Sequence, residues 1–268
     1  MERSLKLLWE KALVNLLMRI QRVQFPARQL GGDEWVYRWR LDFLANRLEK
    51  ESVMWCRKLI RPGMVVVDVG AHIGYYTRIF SRLVGNSGQV FSFEPSSENF
   101  PVLSKNLSAG KYRNVTLFNK AVGAKNEKGT LFVSPGHSNH SLNAGFTESV
   151  GQEQVEIVPL DLVLSQQGIS RVDFIKVDVE GFEIHVLNGL MNVVKNSSEV
   201  HMLVEYNPLA LRSGGFQPVD LLTLIKDLGF DAFRILPDGS LRNDISDVQQ
   251  ETFNLLCTHT GTRLSENV

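Results

Sequence analysis

The length, composition and charge of the chain restrict its class before any motif is considered. Its 268 residues, 43% of them hydrophobic, suffice for one principal domain with an added subdomain and do not require two independent cores. Lysine and arginine total 29, and aspartate and glutamate also total 29. The chain therefore has no net positive charge that would attract nucleic acid or an anionic membrane. A small or neutral substrate is expected.

Cysteine usage and hydropathy favour a soluble protein of a reducing compartment. Cys56 and Cys257 lie far apart, without the spacing of a disulfide framework or a structural zinc site. No segment reaches the roughly 18 apolar residues of a membrane span, and the N-terminus lacks the features of a signal peptide. We expect a cytoplasmic protein without a metal site.

The first 60 residues are predicted to form a helical extension. From Leu5 to Val23 apolar residues recur every three or four positions, and Pro26 ends the pattern. The favoured interpretation is a helix whose apolar stripe packs on its own domain. The alternatives are a substrate lid, a dimer contact, or an interfacial membrane helix. In the last case Lys6, Lys11, Arg19 and Arg22 would form its basic, solvent-facing side. A second helix is predicted near Asp42 to Leu59.

Strand and helix patterns alternate after this extension. The run Val65 to Val69 is short and β-branched, as is typical of a strand buried on both faces of a parallel sheet. Further strands are predicted over 89–94, 115–119, 172–179, 201–206, 232–236 and 252–258. Helices are predicted over 73–83, 97–108, 182–190 and 219–228. The alternation favours a doubly wound α/β domain over residues 61–260, followed by a flexible tail over 261–268.

The segment 134–152 is rich in Gly, Ser, Asn and His. It is interpreted as a loop over the ligand side of the sheet, with a mobile connector as the alternative.

The turn after the first strand carries the central signal. In Asp68-Val69-Gly70-Ala71-His72-Ile73-Gly74, Gly70 lets the backbone approach a ligand and Gly74 lets the next helix pack closely. The spacing differs from the Gly-x-Gly-xx-Gly of dinucleotide binding. Asp68 would repel a pyrophosphate but suits a ligand with ammonium and sulfonium groups. A ligand of that kind is expected here.

The ends of the next two strands complete this prediction. Glu94 lies about 20 residues past the glycines, where its two oxygens can accept both hydroxyls of a ribose. A solvated acid is the alternative for this position. Asn119 and Ala121 follow the third strand, where small residues leave room for an adenine ring, although a turn into a hairpin explains them equally well. The joint placement indicates adenosine.

A second constellation lies at residues 173–183. A lysine in a buried strand is costly unless it is paired, so Lys176 is predicted to have a carboxylate partner. Asp178 and Glu180 stand at the ligand edge of the sheet and can reach a substrate hydroxyl. Asp178 is also a candidate N-cap of the following helix. Glu183 is either a substrate contact or a charge that complements the helix dipole.

Glu205 and three histidines are the remaining candidates. Glu205 ends a strand and is expected to hold substrate, with an ion pair to Lys176 as the alternative. His137 and His140 in the loop, and His185 on a helix, could each act as a base, because imidazole titrates near neutral pH; a structural role is more common. His140 is retained as a substrate-binding candidate.

At these motifs the chain resembles the FkbM-type family of S-adenosylmethionine-dependent methyltransferases. The resemblance covers about residues 60 to 236 and rests on the following segments: Asp68 to Thr77, Phe93-Glu94-Pro95, Asn119 with Ala121-Val122-Gly123, Leu160-Asp161, and Lys176 to Gly181 with Glu183. It implies a Rossmann-like class I methyltransferase fold with a seven-stranded, mostly parallel sheet. It also implies S-adenosylmethionine as cofactor and methylation of a hydroxyl on a sugar or secondary metabolite.

The resemblance also assigns site residues by position. Asp68, Gly70 and Gly74 line the methionine end of the cofactor, and Glu94 holds the ribose. Ala71 and His72 belong to the same turn. His72 departs from the asparagine that is common in the family, so backbone contacts rather than a side-chain contact are expected there.

The predicted chemistry follows from the cofactor. A methyl sulfonium is already activated, so the protein mainly aligns the acceptor oxygen and excludes water. Asp178 or Glu180 is predicted to accept or orient the acceptor proton, with Lys176 setting the charge. The rivals are a nicotinamide dehydrogenase, disfavoured by the glycine spacing, and a non-catalytic protein that keeps the fold. Nucleic-acid methylation is disfavoured by the balanced charge. A homodimer and peripheral membrane contact stay open.

Overall fold

The computed structural model describes residues 2–26, 34–108, 112–135, 139–245 and 250–262. The predicted base His137 and residues 263–268 of the predicted tail lie outside these ranges. The chain begins with three helices, α1 (Glu2–Gln21), α2 (Glu34–Leu44) and α3 (Lys50–Leu59). The single helix predicted over Asp42 to Leu59 is wrong, because the chain turns between α2 and α3, where Asn46 and Glu49 adopt left-handed φ values of 52° and 44°.

The rest of the chain alternates strands and helices. The strands are β1 (Val65–Val69), β2 (Gln89–Phe93), β3 (Val115–Phe118), β4 (Ala121–Val122), β5 (Glu127–Val133), β6 (Gly151–Val158), β7 (Phe174–Val177), β8 (His201–Tyr206), β9 (Phe230–Ile235), β10 (Leu241–Arg242) and β11 (Phe253–His259). The helices are α4 (Tyr75–Val84), α5 (Asn99–Leu107), α6 (Leu160–Gln166), α7 (Glu183–Asn188), α8 (Met191–Asn196), α9 (Pro208–Ser213) and α10 (Pro218–Asp227).

The main sheet confirms the α/β prediction. Its strand order is β10-β9-β11-β8-β7-β1-β2-β3, and β8, β7, β1, β2 and β3 are mutually parallel. The described sheet has eight strands rather than the seven that were expected. The additional strand is the two-residue β10, which pairs antiparallel with β9 at the sheet edge. A strand of two residues is too short to show a hydrophobic pattern, so the sequence does not predict it.

Helices cover both faces of this sheet and create two cores. Along β1, Val67 and Val69 pack into one core and Val66 into the other, as the two-residue period of a strand requires. The same alternation divides the apolar residues of β2, β7, β8 and β11. The helices α1 to α4 belong to the core that contains Val66. Burial on both faces explains the continuous apolar runs of the central strands.

A second sheet of three strands, in the order β4-β6-β5, was not predicted as a sheet. The strand β6 begins inside the segment interpreted as a loop. Its buried residues Val155 and Ile157 alternate with the exposed Gln154 and Glu156, which is the pattern of a half-buried strand. The signal is therefore present in the sequence, but the polar residues before it obscured it. This sheet lies beside the end of β3 and carries Ala121.

The predicted helix over Leu5 to Val23 is confirmed, and it packs on its own domain, but most of the predicted apolar stripe is not buried there. Val14 and Val23 are buried against the domain, whereas Leu8, Trp9, Leu13, Leu16 and Ile20 are exposed. Periodicity shows that one face is apolar and does not show what covers that face. None of the described helices combines the length and the apolarity that crossing a membrane requires.

Candidate functional site

The topology places a crevice between β1 and β7. The chain leaves β1 for β2 and β3 on one side and then returns to β7 on the other side, so the connections diverge at the carboxyl ends of β1 and β7. Ligands of open α/β sheets bind at such a switch point. Gly70 lies there with φ of 83°, and a Cβ on it would stand 1.8 Å from the backbone oxygen of Asp178. The two strand ends can meet this closely because residue 70 is glycine.

A cavity of about 250 Å³ opens at this edge. The residues that the sequence predicted as site residues and that line it are Gly70, His72, Glu94, Ala121, His140, Asp178, Glu180 and Glu205. They come from six separate segments of the chain. Two groups of them face each other across the strand ends. We call Gly70, His72 and Glu94 the glycine rim, and Asp178, Glu180 and Glu205 the acid rim.

The carboxylate of Glu94 is held by backbone donors. The N–H of His72 donates to Oε2 at 2.8 Å, and the N–H of Ser96 donates to Oε1 at 2.9 Å. Residue 72 has φ of 51°, a left-handed conformation that aims its N–H at Glu94. Burial raises the pKa of Glu94 to about 7, although both backbone hydrogen bonds act to lower it. Glu94 is thus oriented before any ligand arrives, and it titrates near neutrality.

Four predicted cofactor residues support the site from outside the cavity lining. Asp68 is fully buried beneath it, where the Thr77 hydroxyl donates to Oδ2 at 2.5 Å. Ala71 packs in a small apolar cluster with Leu103. The predicted contact of Asp68 with the ligand therefore does not agree with its position, because its side chain points into the core.

Gly74 and Asn119 are likewise structural in this arrangement. Gly74 precedes α4 with φ of 93°, and a Cβ there would lie 2.9 Å from Leu103 Cδ1, so α4 and α5 can approach closely. The amide of Asn119 donates to the backbone oxygens of Glu94 and Pro95 at 2.9 and 3.0 Å. Asn119 therefore fixes the segment that carries Glu94, while Ala121 lines the cavity itself.

The predicted partner of Lys176 is Asp178. Nζ of Lys176 lies 2.7 Å from Oδ2 of Asp178 and 4.8 Å from the centre of the Tyr76 ring. Burial acts to lower the pKa of Lys176, but the carboxylates of Asp178, Asp68 and Glu49 outweigh burial and raise it. Lys176 is therefore charged. The alternative pairing with Glu205 is not present.

The acid rim brings three carboxyl groups together. One oxygen of each of Asp178, Glu180 and Glu205 lies within 4.8 Å of the others. Burial, followed by the charges of Asp178 and Glu183, raises the pKa of Glu180 to about 9. Burial and the same neighbouring acids raise the pKa of Glu205 well above its usual value. Oε2 of Glu205 is buried and has no hydrogen-bond partner among the described residues. Like charges this close cannot all ionise, so the rim retains protons at neutral pH.

The acid rim is also the place where the described residues could hold a metal ion, since oxygen ligands from three carboxyl groups converge there. The sequence did not indicate this group, because Glu205 lies 25 residues beyond Glu180 and a distinct strand supplies it. The expectation of no metal site stays a prediction.

Two further candidates lie away from the cavity lining. Glu183 is fully buried, and its Oε1 accepts hydrogen bonds from the N–H groups of Val179 and Gly181 at 3.2 and 3.1 Å. It shapes the turn after β7 rather than facing a substrate. The ring of His185 stacks on Phe182 with centroids 4.2 Å apart. Neither position fits a direct role in chemistry.

The predicted N-cap role of Asp178 is wrong. The helix α7 begins at Glu183, and its N-cap residue is Phe182 without a side-chain hydrogen bond. Asp178 is free of that role because the turn over 178–182 separates β7 from α7. Its carboxylate instead pairs with Lys176 and faces the cavity.

Several residues that line the cavity were not predicted from the sequence. The most informative is Glu49, which comes from the N-terminal helices and whose Oε2 accepts from the Tyr76 hydroxyl at 2.9 Å. Burial and the charge of Asp178 raise its pKa. No local motif marks Glu49, since its role depends on a left-handed turn that only the structure shows. Asn99, Lys120, Asn139 and Phe182 also line the cavity.

Comparison with known proteins places this geometry in a family. The model of the methyltransferase FkbM domain matches residues 68–232, which is more than half of the chain. The hexuronic acid methyltransferase AglP of Haloferax volcanii is 25% identical over 203 residues, covering 75% of this chain and 70% of that protein.

Two further similarities are more distant or partial. The 31-O-demethyl-FK506 methyltransferase FkbM of Streptomyces tacrolimicus is 28% identical over 159 residues, covering 49% of this chain and 61% of that protein. A solved SAM-dependent methyltransferase of Aquifex aeolicus aligns over 80% of this chain and 93% of that chain, with 15% identity and a TM-score of 0.47.

Proposed function

The chain belongs to the methyltransferase FkbM domain family, and from this premise we propose that it methylates a hydroxyl group on a sugar or a secondary metabolite. It is a methyltransferase whose cofactor is S-adenosylmethionine. The proposal concerns the acceptor atom and the residues that carry the reaction. The observation that supports it most strongly is the acid rim, where three carboxyl groups converge at the switch point of the sheet.

The glycine rim fits the cofactor. Gly70 leaves its backbone open to close approach, and a Cβ in that position would collide with the backbone of Asp178. Glu94 presents two oxygens, each already aligned by one backbone N–H, so the remaining lone pairs can accept the two ribose hydroxyls. The acids around the cavity exceed the cations, which favours a ligand with sulfonium and ammonium groups. Gly70, His72, Glu94 and Ala121 would hold the cofactor.

The acid rim fits the fate of the acceptor proton. When bound, the cofactor supplies a methyl group already activated by its sulfonium. As the acceptor oxygen gains the methyl group it loses its proton, and Asp178 stands at the cavity with an ionic partner in Lys176. We assign Asp178 the role of base. Glu180 carries a proton of its own near neutral pH and can donate a hydrogen bond that orients the acceptor.

The same charges favour a hydroxyl over a carboxylate as acceptor. An ionised acceptor would be repelled by the carboxylate of Asp178, which lines the cavity. A neutral hydroxyl is not repelled and can hydrogen-bond to a carboxylate. The name of one relative, a methyltransferase of a 31-O-demethyl compound, agrees with a hydroxyl acceptor. The hexuronic acid named for the other relative carries both hydroxyls and a carboxyl group, so that name agrees with a sugar acceptor and does not distinguish the two oxygens. Glu205 and His140 are proposed to contact it.

Each part of the chain has its own role in the proposed reaction. Residues 61–260 form the methyltransferase domain in this proposal, and residues 1–60 form a helical extension that contributes Glu49 to the cavity. The tail predicted over residues 261–268 is assigned no part in the reaction. Metal assistance and nucleic-acid substrates are not part of the proposed function.

A labelled-methyl transfer screen tests the proposal. The full chain is incubated with methyl-labelled S-adenosylmethionine and separate panels of sugars, glycans and hydroxylated metabolites. We expect label in a product that survives mild alkali, because a methyl ether is stable where a methyl ester is cleaved. Glu94→Ala is the blank, since it removes the proposed ribose contact. Base-labile label would show a carboxylate acceptor and overturn the hydroxyl assignment.

A binding measurement separates the remaining rivals. Calorimetry with S-adenosylmethionine and with NAD is expected to show heat for the first cofactor alone. Binding without transfer to any acceptor in the three panels would favour a non-catalytic role. Binding of NAD alone would contradict the assignment of the glycine rim.

A further inference from the structure

The strongest feature that the proposed function does not use is the outer face of α1. Trp9, Leu13, Leu16 and Ile20 follow one another at spacings of four, three and four residues, which places them on one face of the helix. Their exposed fractions are 74%, 44%, 54% and 64%. We call these four residues the exposed stripe. Leu8, 60% exposed, lies at its edge. Contiguous exposed apolar side chains of this size mark an interaction surface.

The opposite face of α1 packs on the domain. The stripe is therefore exposed although the helix itself is held in place. Val14 is fully buried in the core beside α2 and α4. The amide of Gln21 donates to the backbone oxygen of Leu44 at 2.9 Å and accepts from Arg78 at 2.8 Å. Nζ of Lys11 lies 5.0 Å from the centre of the Tyr37 ring. These contacts fix which face of α1 points outward.

The charges beside the stripe identify its partner. At 100° per residue, Lys6 and Arg19 lie on the two flanks of the stripe, and both are exposed. Glu10, the one acid among the described side chains of α1, is half-buried on the side that faces the domain. An apolar face with basic flanks is the arrangement that lies in the headgroup layer of an anionic bilayer. A protein partner with a matching apolar groove would not require the flanking charges to have one sign.

We propose that α1 binds the surface of an anionic membrane, with the exposed stripe inserted among the lipids and Lys6 and Arg19 at the headgroups. This interaction would place the cavity close to the bilayer. The helix α1 packs on α2, and the ring of Trp39 in α2 lies 6.4 Å from the ring of His72, which lines the cavity. The proposal concerns attachment and is independent of the acceptor.

Vesicle co-sedimentation of the full chain tests the proposal. The probes are vesicles of phosphatidylcholine alone and of phosphatidylcholine mixed with phosphatidylglycerol. We expect binding to the mixed vesicles, weakening as salt is added. Leu13→Ser with Leu16→Ser is expected to weaken binding about 30-fold or more, since two apolar side chains no longer leave water. Lys6→Gln with Arg19→Gln is expected to weaken it about tenfold or more.

A matched control and a second readout make the result unambiguous. Leu209 and Val219 are 58% and 59% exposed on other helices, so Leu209→Ser with Val219→Ser removes similar apolar surface and should leave binding unchanged. Tryptophan fluorescence should shift to the blue on binding, and Trp9→Phe should abolish most of the shift while binding persists. All substituted residues are exposed, so folding is not at risk.

Three outcomes would overturn the proposal. The first is no binding to the mixed vesicles at low salt. The second is equal loss of binding in the control variant. The third is a dimer in sedimentation velocity that Leu13→Ser with Leu16→Ser dissociates, because a second copy of the chain would then cover the stripe.

Discussion

The two rims of the cavity hold carboxyl groups in opposite ways. In the glycine rim one acid, Glu94, receives two backbone N–H groups and is aligned by them. In the acid rim three acids crowd within 4.8 Å, and the nearby cation Lys176 pairs with Asp178. In the glycine rim, the neighbouring backbone N–H groups stabilise the single carboxylate. In the acid rim, the one ion pair among the described residues leaves two further carboxyl groups without a cation, and these groups retain protons or negative charge.

This difference indicates what each rim is built to meet. A carboxylate whose position is set by the backbone can recognise neutral hydroxyls at fixed places. Folding has already ordered it, so ligand binding does not have to bear the entropy cost of ordering it. Crowded carboxyl groups with raised pKa values are suited to exchange a proton or to receive a cation. Binding is thus expected to depend on the glycine rim and turnover on the acid rim. Four predictions separate the two.

The largest effect is expected for Asp178→Asn. The amide cannot take the acceptor proton, so kcat should fall by about a hundredfold to ten-thousandfold. The Kd for S-adenosylmethionine, measured by calorimetry, should change by less than about threefold. Circular dichroism checks that the variant folds, because the substitution leaves Lys176 without its ionic partner. Parallel loss of binding and turnover would instead make Asp178 a structural residue.

The next largest effect is expected for Glu94→Gln. It removes two charge-assisted hydrogen bonds to the ribose and should raise the Kd for S-adenosylmethionine about 100-fold. Glu153→Gln is the matched control, because Glu153 accepts from the N–H of Ser97 in the same segment but does not line the cavity. The control should keep a normal Kd. A normal Kd in Glu94→Gln would remove Glu94 from the cofactor site.

A stability effect is expected for Glu180→Gln. A carboxyl group with a raised pKa keeps its proton in the folded protein while the unfolded chain releases it, so folding loses stability as pH rises from about 4.5 to about 9. The glutamine variant should gain about 2 kcal/mol in free energy of unfolding near pH 8 and much less near pH 5. Urea titrations measure this, with the exposed Glu148→Gln as control. An equal gain at both pH values would point to packing instead.

The smallest effect is a pH dependence of cofactor affinity. The ribose needs an ionised Glu94, and burial raises the pKa of Glu94 to about 7. The ionised fraction therefore increases as pH rises from 6 to 8, and the Kd should fall about tenfold over that interval. Glu94→Gln should abolish the dependence. A dependence that persists in this variant would assign it to another group.

Those predicted site residues that directly follow a central strand line the cavity. Gly70, Glu94 and Asp178 each follow a central strand, and parallel strands bring their carboxyl ends to one edge. Asp68 and Glu183 share the same motifs but point into the core, because the neighbours in a motif alternate between faces and a turn redirects the backbone. Glu49 escaped prediction because its position depends on a turn between helices. Motifs thus identified the segments more reliably than the individual side chains.

The amino-acid sequence by itself determined the alternation of buried strands and helices, the switch point with its glycine turn, and the family. These features follow from hydrophobic periodicity and local backbone preference, which act between residues close in the chain. Tertiary structure alone decided that Glu205 and Glu49 join Asp178, that Lys176 pairs with Asp178, and that the apolar stripe of α1 faces outward. Glu205 and Glu49 are distant from Asp178 in the sequence, whereas Lys176 is only two residues away from it. In each case the energy of the contact depends on burial and charge that arise only when the chain is packed.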